Sequence, residues 1–453
     1  MSKTIKLKKG FNINLAGKAE QKIADDVRPD TYALKPTDFH GMTRPKLSVA
    51  VGDNVKAGSP VLYDKLSPEI HYTAPVSGEI VEINRGAKRK ILEIKILADK
   101  EVSYESFDKY SVSDLKGLSR EDAQAQMMKS GVWPNIVQRP FGIVADPADT
   151  PKSIFVSTFD THPLAPDYGF TLQGQEQYFN AGVAVLKKFT SGDVNVNIDG
   201  KSEVSSVFSS VEGASVNKVS GPHPAGNVGI QIHHIDPIGK GQIVWTLKPQ
   251  GVVEIGKLFL EGIYDASRVV AVAGSEVTKP HYYKTYLGAC VDKFLANNLK
   301  QDHVRVISGN VLTGEKIAGN GYIGYYDQQV SVIPEGDYHE MLGWIKPSGR
   351  LSFHRAFGLF SFLSPKKEHV MDSNTRGEER AFVVSGVFEQ VTPMDLYPTY
   401  LIKAIMAEDY EDMEGLGIFE VIEEDLALCE FVDVSKHDIQ EILRTGINLI
   451  KES

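Results

Sequence analysis

Adjacent histidines and a nearby carboxylate form the densest group of potential metal ligands in the sequence. The stretch IQIHHID (Ile230–Asp236) contains His233, His234 and Asp236. A zinc site needs three or four such ligands that converge on one ion. We interpret the stretch as a strand, on which adjacent side chains point to opposite faces, so the two histidines would not share an ion. Surface or hydrogen-bonded histidines are therefore favoured over a metal site.

A second stretch has most of a phosphate-binding loop. GVVEIGKL (Gly251–Leu258) has the P-loop spacing up to its lysine. Magnesium binding requires a Ser or Thr hydroxyl after that lysine, and Leu258 has none. Glu254 would also place a carboxylate where the phosphates lie. We therefore predict a strand or the start of a helix here rather than a nucleotide site.

The N-terminal quarter has the turn and strand pattern of domains that carry biotin or lipoate on a lysine. TAPVSGEIVEI (Thr73–Ile83) is the most typical part. In such carriers the modified lysine lies at a hairpin tip, and counting back from Ala74 by the usual spacing reaches Ser67. The nearest lysine, Lys65, is two positions away and has no flanking methionines. We predict the carrier fold without its prosthetic group.

Composition excludes several classes of protein. The 453 residues suffice for about three domains. Lys and Arg total 49 against 59 Asp and Glu, and the resulting charge of −10 argues against nucleic-acid binding. Two cysteines, Cys290 and Cys429, are too few for a disulfide framework or a multi-thiolate zinc site and fit a reducing cytoplasm. No apolar run approaches the roughly 18 residues of a spanning helix, and the N-terminus has no signal-peptide pattern, so a membrane role would be peripheral.

Changes in periodicity divide the chain. Strand and turn patterns fill residues 1–104, strands alternate with helices from 105 to 256, and Ser119 is the expected N-cap of the first of these helices. Residues 257–332 read as strand, helix and strand, 333–389 as a connecting segment, and 390–453 as helical.

Further elements are predicted within these regions. Thr285–Leu299 has apolar residues at helical spacing, with Cys290 beside them as a structural thiol, and Ala381–Phe388 has the composition of a buried strand. Two apolar stripes predict C-terminal helices: Leu396, Tyr400, Leu401, Ala404 and Ile405; and Ile439, Ile442, Leu443, Ile447 and Ile450.

Two motifs allow both a structural and a binding interpretation. GPHPAGNVG (Gly221–Gly229) is an irregular loop that either packs or lets backbone approach a ligand or partner. In RLSFHRAFGLFSFLSPKK, the side chains of Phe353, Phe357 and Phe360 share a helical face with basic residues at both ends. That face suits core packing or docking at a membrane-proximal surface.

Taken together, the motifs resemble a known family over essentially the whole chain. They include INRGAKR, WPNIVQRPF, FDTHPLAPD, GPHPAGNVGIQIHHIDPI, VVEIGKLFLEG, RVISGNVLTG, VSVIPEGDYHEMLGW and PMDLYP. This set resembles the A subunit of the bacterial Na+-translocating NADH:quinone reductase. It is distantly similar to the C subunit of the Rnf complex and to the flavoprotein subunit of respiratory complex I.

The resemblance implies a multidomain α+β fold. It would comprise an unmodified biotinyl/lipoyl-like barrel-sandwich hybrid, a Rossmann-like α/β domain, a β-grasp domain of the soluble-ligand-binding type, and a C-terminal helical ferredoxin-like remnant without clusters. No GxGxxG occurs in the predicted α/β domain. Family members usually keep a second cysteine four residues after the one matching Cys429, but this chain has Asp433 there, and one thiolate does not hold an iron–sulfur cluster.

The resemblance also implies a function. The chain would be a peripheral subunit on the cytoplasmic face of the bacterial inner membrane, reaching the membrane only through five partner subunits, B to F. Flavins, an iron–sulfur cluster, NADH and Na+ would lie on those partners, with no cofactor tightly bound here. The complex would reduce ubiquinone or menaquinone and export sodium.

Two arginine-proline stretches are candidates for the quinone site that the resemblance implies. GMTRPKL supplies Met42 and Arg44, and WPNIVQRPF supplies Trp133, Arg139 and Phe141. Aromatic and aliphatic groups would hold the quinone ring while a guanidinium stabilises negative charge on its oxygen. The alternatives are that these are ordinary linker and interface residues, and that the chain is a structural adaptor without a quinone site.

Overall fold

The computed structural model describes residues 2–24, 27–209, 211–339, 341 and 367–452. β-Sheets make up the N-terminal and middle parts, and helices make up the C-terminal part, as the multidomain α+β prediction requires. The predicted stripe of Phe353, Phe357 and Phe360 lies outside the described residues.

The N-terminal region consists of two antiparallel sheets around one apolar core. Alternating burial along the strands turns one face of each sheet inward, with Val61, Ile80 and Ile94 fully enclosed. The four-stranded sheet has the order β2-β8-β7-β4, and the three-stranded sheet has the order β3-β5-β6. Their strands are β2 (Thr31–Leu34), β3 (Pro45–Leu47), β4 (Asn54–Val55), β5 (Pro60–Asp64), β6 (Ser67–Thr73), β7 (Gly78–Arg85) and β8 (Ile91–Ala98).

The β5–β6 hairpin corrects one step of the carrier argument. Its turn consists of Lys65 and Leu66, while Ser67 is already the first residue of β6. The hairpin tip therefore does contain a lysine. The prediction that Lys65 is unmodified now depends on its missing methionine flanks and not on its position.

The middle of the chain forms a seven-stranded mixed sheet with the order β1-β13-β12-β11-β14-β9-β10. The first five strands in this order are parallel, and β9 and β10 form an antiparallel hairpin at one edge. The strands are β1 (Thr4–Lys6), β9 (Val137–Arg139), β10 (Ile143–Val144), β11 (Ser153–Ser157), β12 (Val194–Asp199), β13 (Ser215–Ser220) and β14 (Val244–Leu247). Strand β1 precedes the N-terminal sheets in the chain but pairs with β13.

Helices cover this sheet. They are α1 (Arg120–Ser130), α2 (Tyr168–Thr171), α3 (Glu176–Leu186), α4 (Ser206–Ser209), α5 (Val228–Ile235) and α6 (Pro249–Glu261). Ser119 caps α1 as predicted, because its side chain accepts a hydrogen bond from Asp122 N. The GVVEIGKL stretch lies inside α6, where Glu254 is buried and pairs with Arg268. The strand assignment for IQIHHID was wrong, because α5 contains both histidines.

A five-stranded sheet follows, with the order β16-β15-β19-β17-β18. Its elements are β15 (Ser267–Ala273), β16 (His281–Tyr286), β17 (Val304–Ser308), β18 (Glu315–Ile317), β19 (Gln329–Pro334) and the short helix α7 (Asp292–Leu295). The helix predicted over Thr285–Leu299 was therefore wrong. Strand β16 pairs with β15 up to Tyr286, and the chain then turns at Gly288, which has a φ of +71° and lies against the Ala33 backbone.

The C-terminal helices are α8 (Phe388–Val391), α9 (Pro398–Met406), α10 (Tyr410–Gly415), α11 (Glu423–Val432) and α12 (Ile439–Glu452). The predicted helical region is confirmed, although Tyr400 is half exposed and outside the buried stripe. The buried strand predicted at Ala381–Phe388 was wrong. Val383 and Val384 are each more than half exposed and belong to no strand, and Phe388 begins α8.

A buried ion pair joins the seven-stranded sheet to these helices. Arg139, the last residue of β9, donates from Nη1 to Asp425 Oδ2 at 2.5 Å and from Nη2 to Glu424 Oε1. Arg139 and Asp425 are both 1% exposed, whereas the Glu424 side chain keeps 37% of its surface. Burial opposes the charge on Arg139, but the two carboxylates outweigh it and raise the pKa of the guanidinium.

Replacing Arg139 with methionine should lower the free energy of unfolding by about 3–5 kcal/mol, because Asp425 would stay buried without its cation. Urea unfolding of the purified chain measures this change. The double variant Arg139→Met with Asp425→Leu should recover most of the loss, since it removes both charges. A double variant as unstable as the single one would contradict an electrostatic origin.

Candidate functional site

The parallel part of the seven-stranded sheet contains a topological switch point. Strand β11 lies between β12 on one side and β14 on the other. Ligands of open α/β sheets usually bind outside the carboxyl ends of the strands at such a point. In this chain, the residues that follow β11 and β13 meet there, and they form a polar cluster.

Four side chains hold the cluster together. His162 Nε2 lies 3.0 Å from Asp160 Oδ2, and Thr161 Oγ1 lies 3.1 Å from His223 Nδ1. Thr161 Oγ1 also accepts a hydrogen bond from Gly226 N. His223 is 3% exposed, and its Nε2 atom has no partner among the described residues. The motifs FDTHPLAPD and GPHPAGNVG therefore meet through Thr161 and His223.

The first turn of α11 lies beside this cluster. Asn227 Nδ2 donates to Glu424 O at 2.7 Å, and Gly229 packs so closely on Asp425 and Arg139 that a Cβ there would overlap both. The glycines of GPHPAGNVG thus allow close packing, which supports the structural interpretation of that loop. The carboxyl edge of the sheet is consequently covered by the C-terminal helices.

Burial acts differently on the two titratable groups at the centre of the cluster. For Asp160, burial would raise the pKa, but His162 and Lys248 together outweigh it and hold the pKa well below its usual range. For His223, burial dominates and lowers the pKa to about 4, against the opposing influence of Asp160. His223 is therefore a neutral, buried imidazole at pH 7.

Acidification should destabilise the protein through His223. The ordinary pKa of His223 is about 6.5 and its native pKa is about 4. At pH values between these two, the unfolded state binds a proton at this residue and the native state does not. The stability present at pH 7 is thus lost as the pH falls through 6.5. His223→Gln should reduce the loss between pH 7 and pH 5 by roughly 2 kcal/mol in urea unfolding. A His223→Gln variant that loses as much stability between pH 7 and pH 5 as the unaltered chain would contradict the assignment.

The predicted hydrogen-bonded role of the paired histidines is confirmed. His233 lies 2.8 Å from Glu420 Oε2 through Nδ1 and accepts from Asp395 N through Nε2, while His234 Nε2 donates to Pro393 O. Asp236 accepts from Ser153. The two histidines attach α5 to the segments that connect the C-terminal helices. Within the described residues, no three His, Cys, Asp or Glu side chains are grouped as a metal site requires.

Neither the two thiols nor a GxGxxG stretch in the chain forms a reactive or binding site among the described residues. Both cysteines are buried, and burial raises the pKa of Cys290 to about 11 and that of Cys429 to about 12.

A GxGxxG stretch does occur at Gly319–Gly324, outside the α/β domain. It lies in the loop between β18 and β19 and opens no helix, so it lacks the helix N-terminus of a dinucleotide site.

The structure brings the two arginine-proline stretches together. A Cβ on Gly41 would lie 2.9 Å from Ile143 Cγ2, so the loop before Arg44 packs against the β9–β10 hairpin that contains Phe141. The Phe141 carbonyl accepts from Arg444 Nη1 at 2.7 Å, which ties the hairpin to α12. We call this region, residues 40–44 with 139–143, the arginine-proline junction.

The five predicted quinone residues differ in accessibility. Arg44 is exposed, and its side chain forms no hydrogen bond or ion pair with any described residue; Met42 and Phe141 are partly buried. Trp133 is fully enclosed and donates from Nε1 to Ala145 O. Arg139 is engaged with Asp425 and Glu424. The sequence analysis did not identify Asp425 and Glu424 as functional residues. It also did not identify Asp160 and His223, although both lie in motifs that it quoted.

Comparisons with known proteins agree with this architecture. Three family models match: the NqrA N-terminal barrel-sandwich hybrid domain over residues 5–99, the NqrA second alpha/beta domain over 118–264, and the NQRA C-terminal domain over 269–319. The first confirms the predicted barrel-sandwich hybrid. In addition, no helix among the described residues has both the length and the apolar character to cross a membrane.

Full-length relatives are named as the A subunit of the Na(+)-translocating NADH-quinone reductase. Those from Alcanivorax borkumensis and Serratia proteamaculans are 38% and 39% identical, each over 99% of both chains. One from Pasteurella multocida is also 39% identical over 99% of both. A solved NAD+-reducing [NiFe]-hydrogenase in the air-oxidized state aligns with 78% of this chain and 67% of its own, at 11% identity and a TM-score of 0.36, so the assignment depends on the sequence matches. The chain belongs to the family formed by the A subunit of the Na(+)-translocating NADH-quinone reductase.

Proposed function

We propose that this chain is a peripheral subunit of a Na+-translocating NADH:quinone reductase and that it takes part in the quinone-reduction step. The observation that carries the proposal is similarity over 99% of the chain to proteins named as the A subunit of that enzyme. In this proposal the chain docks on the five partner subunits, B to F, at the cytoplasmic face of the inner membrane. Sodium export would take place in membrane-spanning partners, since an ion pathway needs protein that crosses the lipid.

The finer assignments belong to the same proposal. The seven-stranded sheet would be the Rossmann-like domain, the five-stranded sheet the β-grasp domain, and α8–α12 the ferredoxin-like remnant. NADH, flavins, an iron–sulfur cluster and Na+ would bind to partner subunits. The stripe of Phe353, Phe357 and Phe360 stays a prediction for the docking surface.

The arginine-proline junction is the proposed quinone-facing surface. Arg44 supplies an exposed guanidinium without an ionic partner among the described residues, and Met42 and Phe141 supply apolar contact. A positioned cation stabilises the negative charge that develops on a quinone oxygen during reduction. Trp133 packs in the core and Arg139 fixes the end of β9, so both would act by holding Phe141 in place.

Replacing Arg44 with leucine should lower quinone reduction by the assembled complex about a hundredfold, the typical cost of one preorganised donor to an oxyanion. NADH oxidation with an artificial acceptor should be unchanged in the same preparation. Lys46→Leu removes a neighbouring exposed cation and serves as the matched control. Equal losses in both assays would indicate failed assembly, and an unaffected Arg44→Leu complex would remove this residue from the quinone site.

The alternative function, a structural adaptor without a quinone site, predicts a different titration. The isolated, detergent-free chain should bind a short-chain quinone saturably if the junction is a quinone site. Phe141→Leu should weaken this binding severalfold, because it loses ring contact while retaining an apolar side chain. Calorimetric titration gives the dissociation constant. Absence of saturable binding by the unaltered chain would favour the adaptor.

A further inference from the structure

A cavity away from the arginine-proline junction lies between the helices that cover the seven-stranded sheet and the five-stranded sheet. Its volume is about 250 Å³. One wall comes from the α2–α3 connection, which contributes Gln175, and from α6, which contributes Lys257. The opposite wall comes from β15 and the edge strand β16, which contribute Arg268, Lys284 and Thr285. Neither the family models nor the names of the relatives assign a ligand to it.

Three of these residues have buried polar atoms without a hydrogen-bond partner in the described part of the chain: Gln175 Oε1, Arg268 Nε and Thr285 Oγ1. Arg268 and Thr285 are only 6% and 5% exposed. The hydroxyl of Tyr32, which is not part of the lining, lies close enough to interact with Thr285 from outside the cavity. Leaving such groups unpaired costs about 1–3 kcal/mol each, so at this cavity they require water or a ligand as a partner.

The unused atom of Arg268 is a directed donor. Its Nη1 donates to Tyr325 O at 3.0 Å and its Nη2 to Glu254 Oε1 at 2.9 Å, so both terminal nitrogens are held in place and Nε is the one guanidinium nitrogen without a partner among the described residues. Gln175 is the N-cap residue of α3, yet its side chain makes no capping hydrogen bond. Both side chains therefore have hydrogen-bonding capacity that the fold itself does not use.

The charge of the lining is positive. Lys257, Arg268 and Lys284 line the cavity, and none of its lining residues is acidic. Lys257 pairs with Asp265 and Arg268 with Glu254, both just outside the lining. Lys284 is exposed and has no ionic partner among the described residues, so it gives the cavity mouth a free cation.

We propose that this cavity binds a small organic anion that also carries a hydroxyl group, of the phosphorylated-polyol or hydroxycarboxylate class. Arg268 Nε and the Thr285 hydroxyl, which lie opposite each other on β15 and β16, donate to the phosphate or carboxylate, and Gln175 Oε1 accepts from the ligand hydroxyl. Lys284 adds positive charge at the cavity mouth. Leu172 and Val253 contact the carbon chain. The bound anion would link the α2–α3 connection to the five-stranded sheet, because its partners come from both walls.

The test uses calorimetric titration of the purified full-length chain with glycerol 3-phosphate and with malate at constant ionic strength. At least one probe should bind saturably at one site per chain. Lys284→Glu, which reverses a charge at the cavity mouth, and Thr285→Val, which removes a donor, should each raise the dissociation constant about tenfold. Lys279→Glu makes the same charge change at an exposed position of the same region, outside the cavity, and should bind like the unaltered chain.

Three results would overturn the proposal: no saturable binding of either probe, equal weakening by Lys284→Glu and Lys279→Glu, or unchanged affinity in both cavity variants. Thr285 is buried, so its variant requires a circular-dichroism check of folding, and Lys284→Glu decides the test if the Thr285 variant does not fold. Quinone titration of Lys284→Glu should match that of the unaltered chain. The anion site and the quinone proposal therefore fail independently.

Discussion

The arrangement of this protein depends on a single guanidinium that has almost no contact with water. Arg139 ends β9, the strand next to one edge of the seven-stranded sheet, and its charge is stable there only because Asp425 and Glu424 reach it from the C-terminal helices. A buried arginine without a carboxylate would be strongly unfavourable, and so would a buried Asp425 without its cation. The sheet and the C-terminal helices therefore depend on each other, because each would bury an unpaired charge without the other.

Asp425 connects this ion pair to its surroundings. Its Oδ2 atom also accepts from Ile422 N, which caps the first turn of α11. Gly229 lets the first turn of α5 approach the same carboxylate, and the two histidines at the other end of α5 bind the segments that connect the C-terminal helices. The contacts around Asp425 thus set the orientation of α5, α11 and the β9–β10 hairpin relative to one another. The position of Phe141 in the arginine-proline junction follows from that orientation.

Local signals in the sequence were sufficient for some elements and misleading for others. The Ser119 cap and the β-branched run of β15 determine their elements through adjacent residues, so both could be predicted. The run at Ala381–Phe388 has strand composition but no neighbouring strand, and IQIHHID has a short apolar pattern that fits a helix or a strand equally well. Arg139 and Asp425 are 286 residues apart, and nothing local to either residue indicates the partner. The quinone candidates could be chosen by chemical type, but only the structure separates the exposed Arg44 from the enclosed Trp133.

The parallel pairing of β1 with β13 has a consequence for the order in which the chain acquires its structure. Thr4 pairs with Lys218, and the barrel-sandwich strands lie between them in sequence. During synthesis on the ribosome, the antiparallel hairpins of that region are complete long before β13 has been made, and local contacts form faster than distant ones. Strand β1 therefore stays unpaired until β13 has been synthesised, after the barrel-sandwich domain has folded. Its length of only three residues, one of them a lysine, limits the exposed edge during that interval.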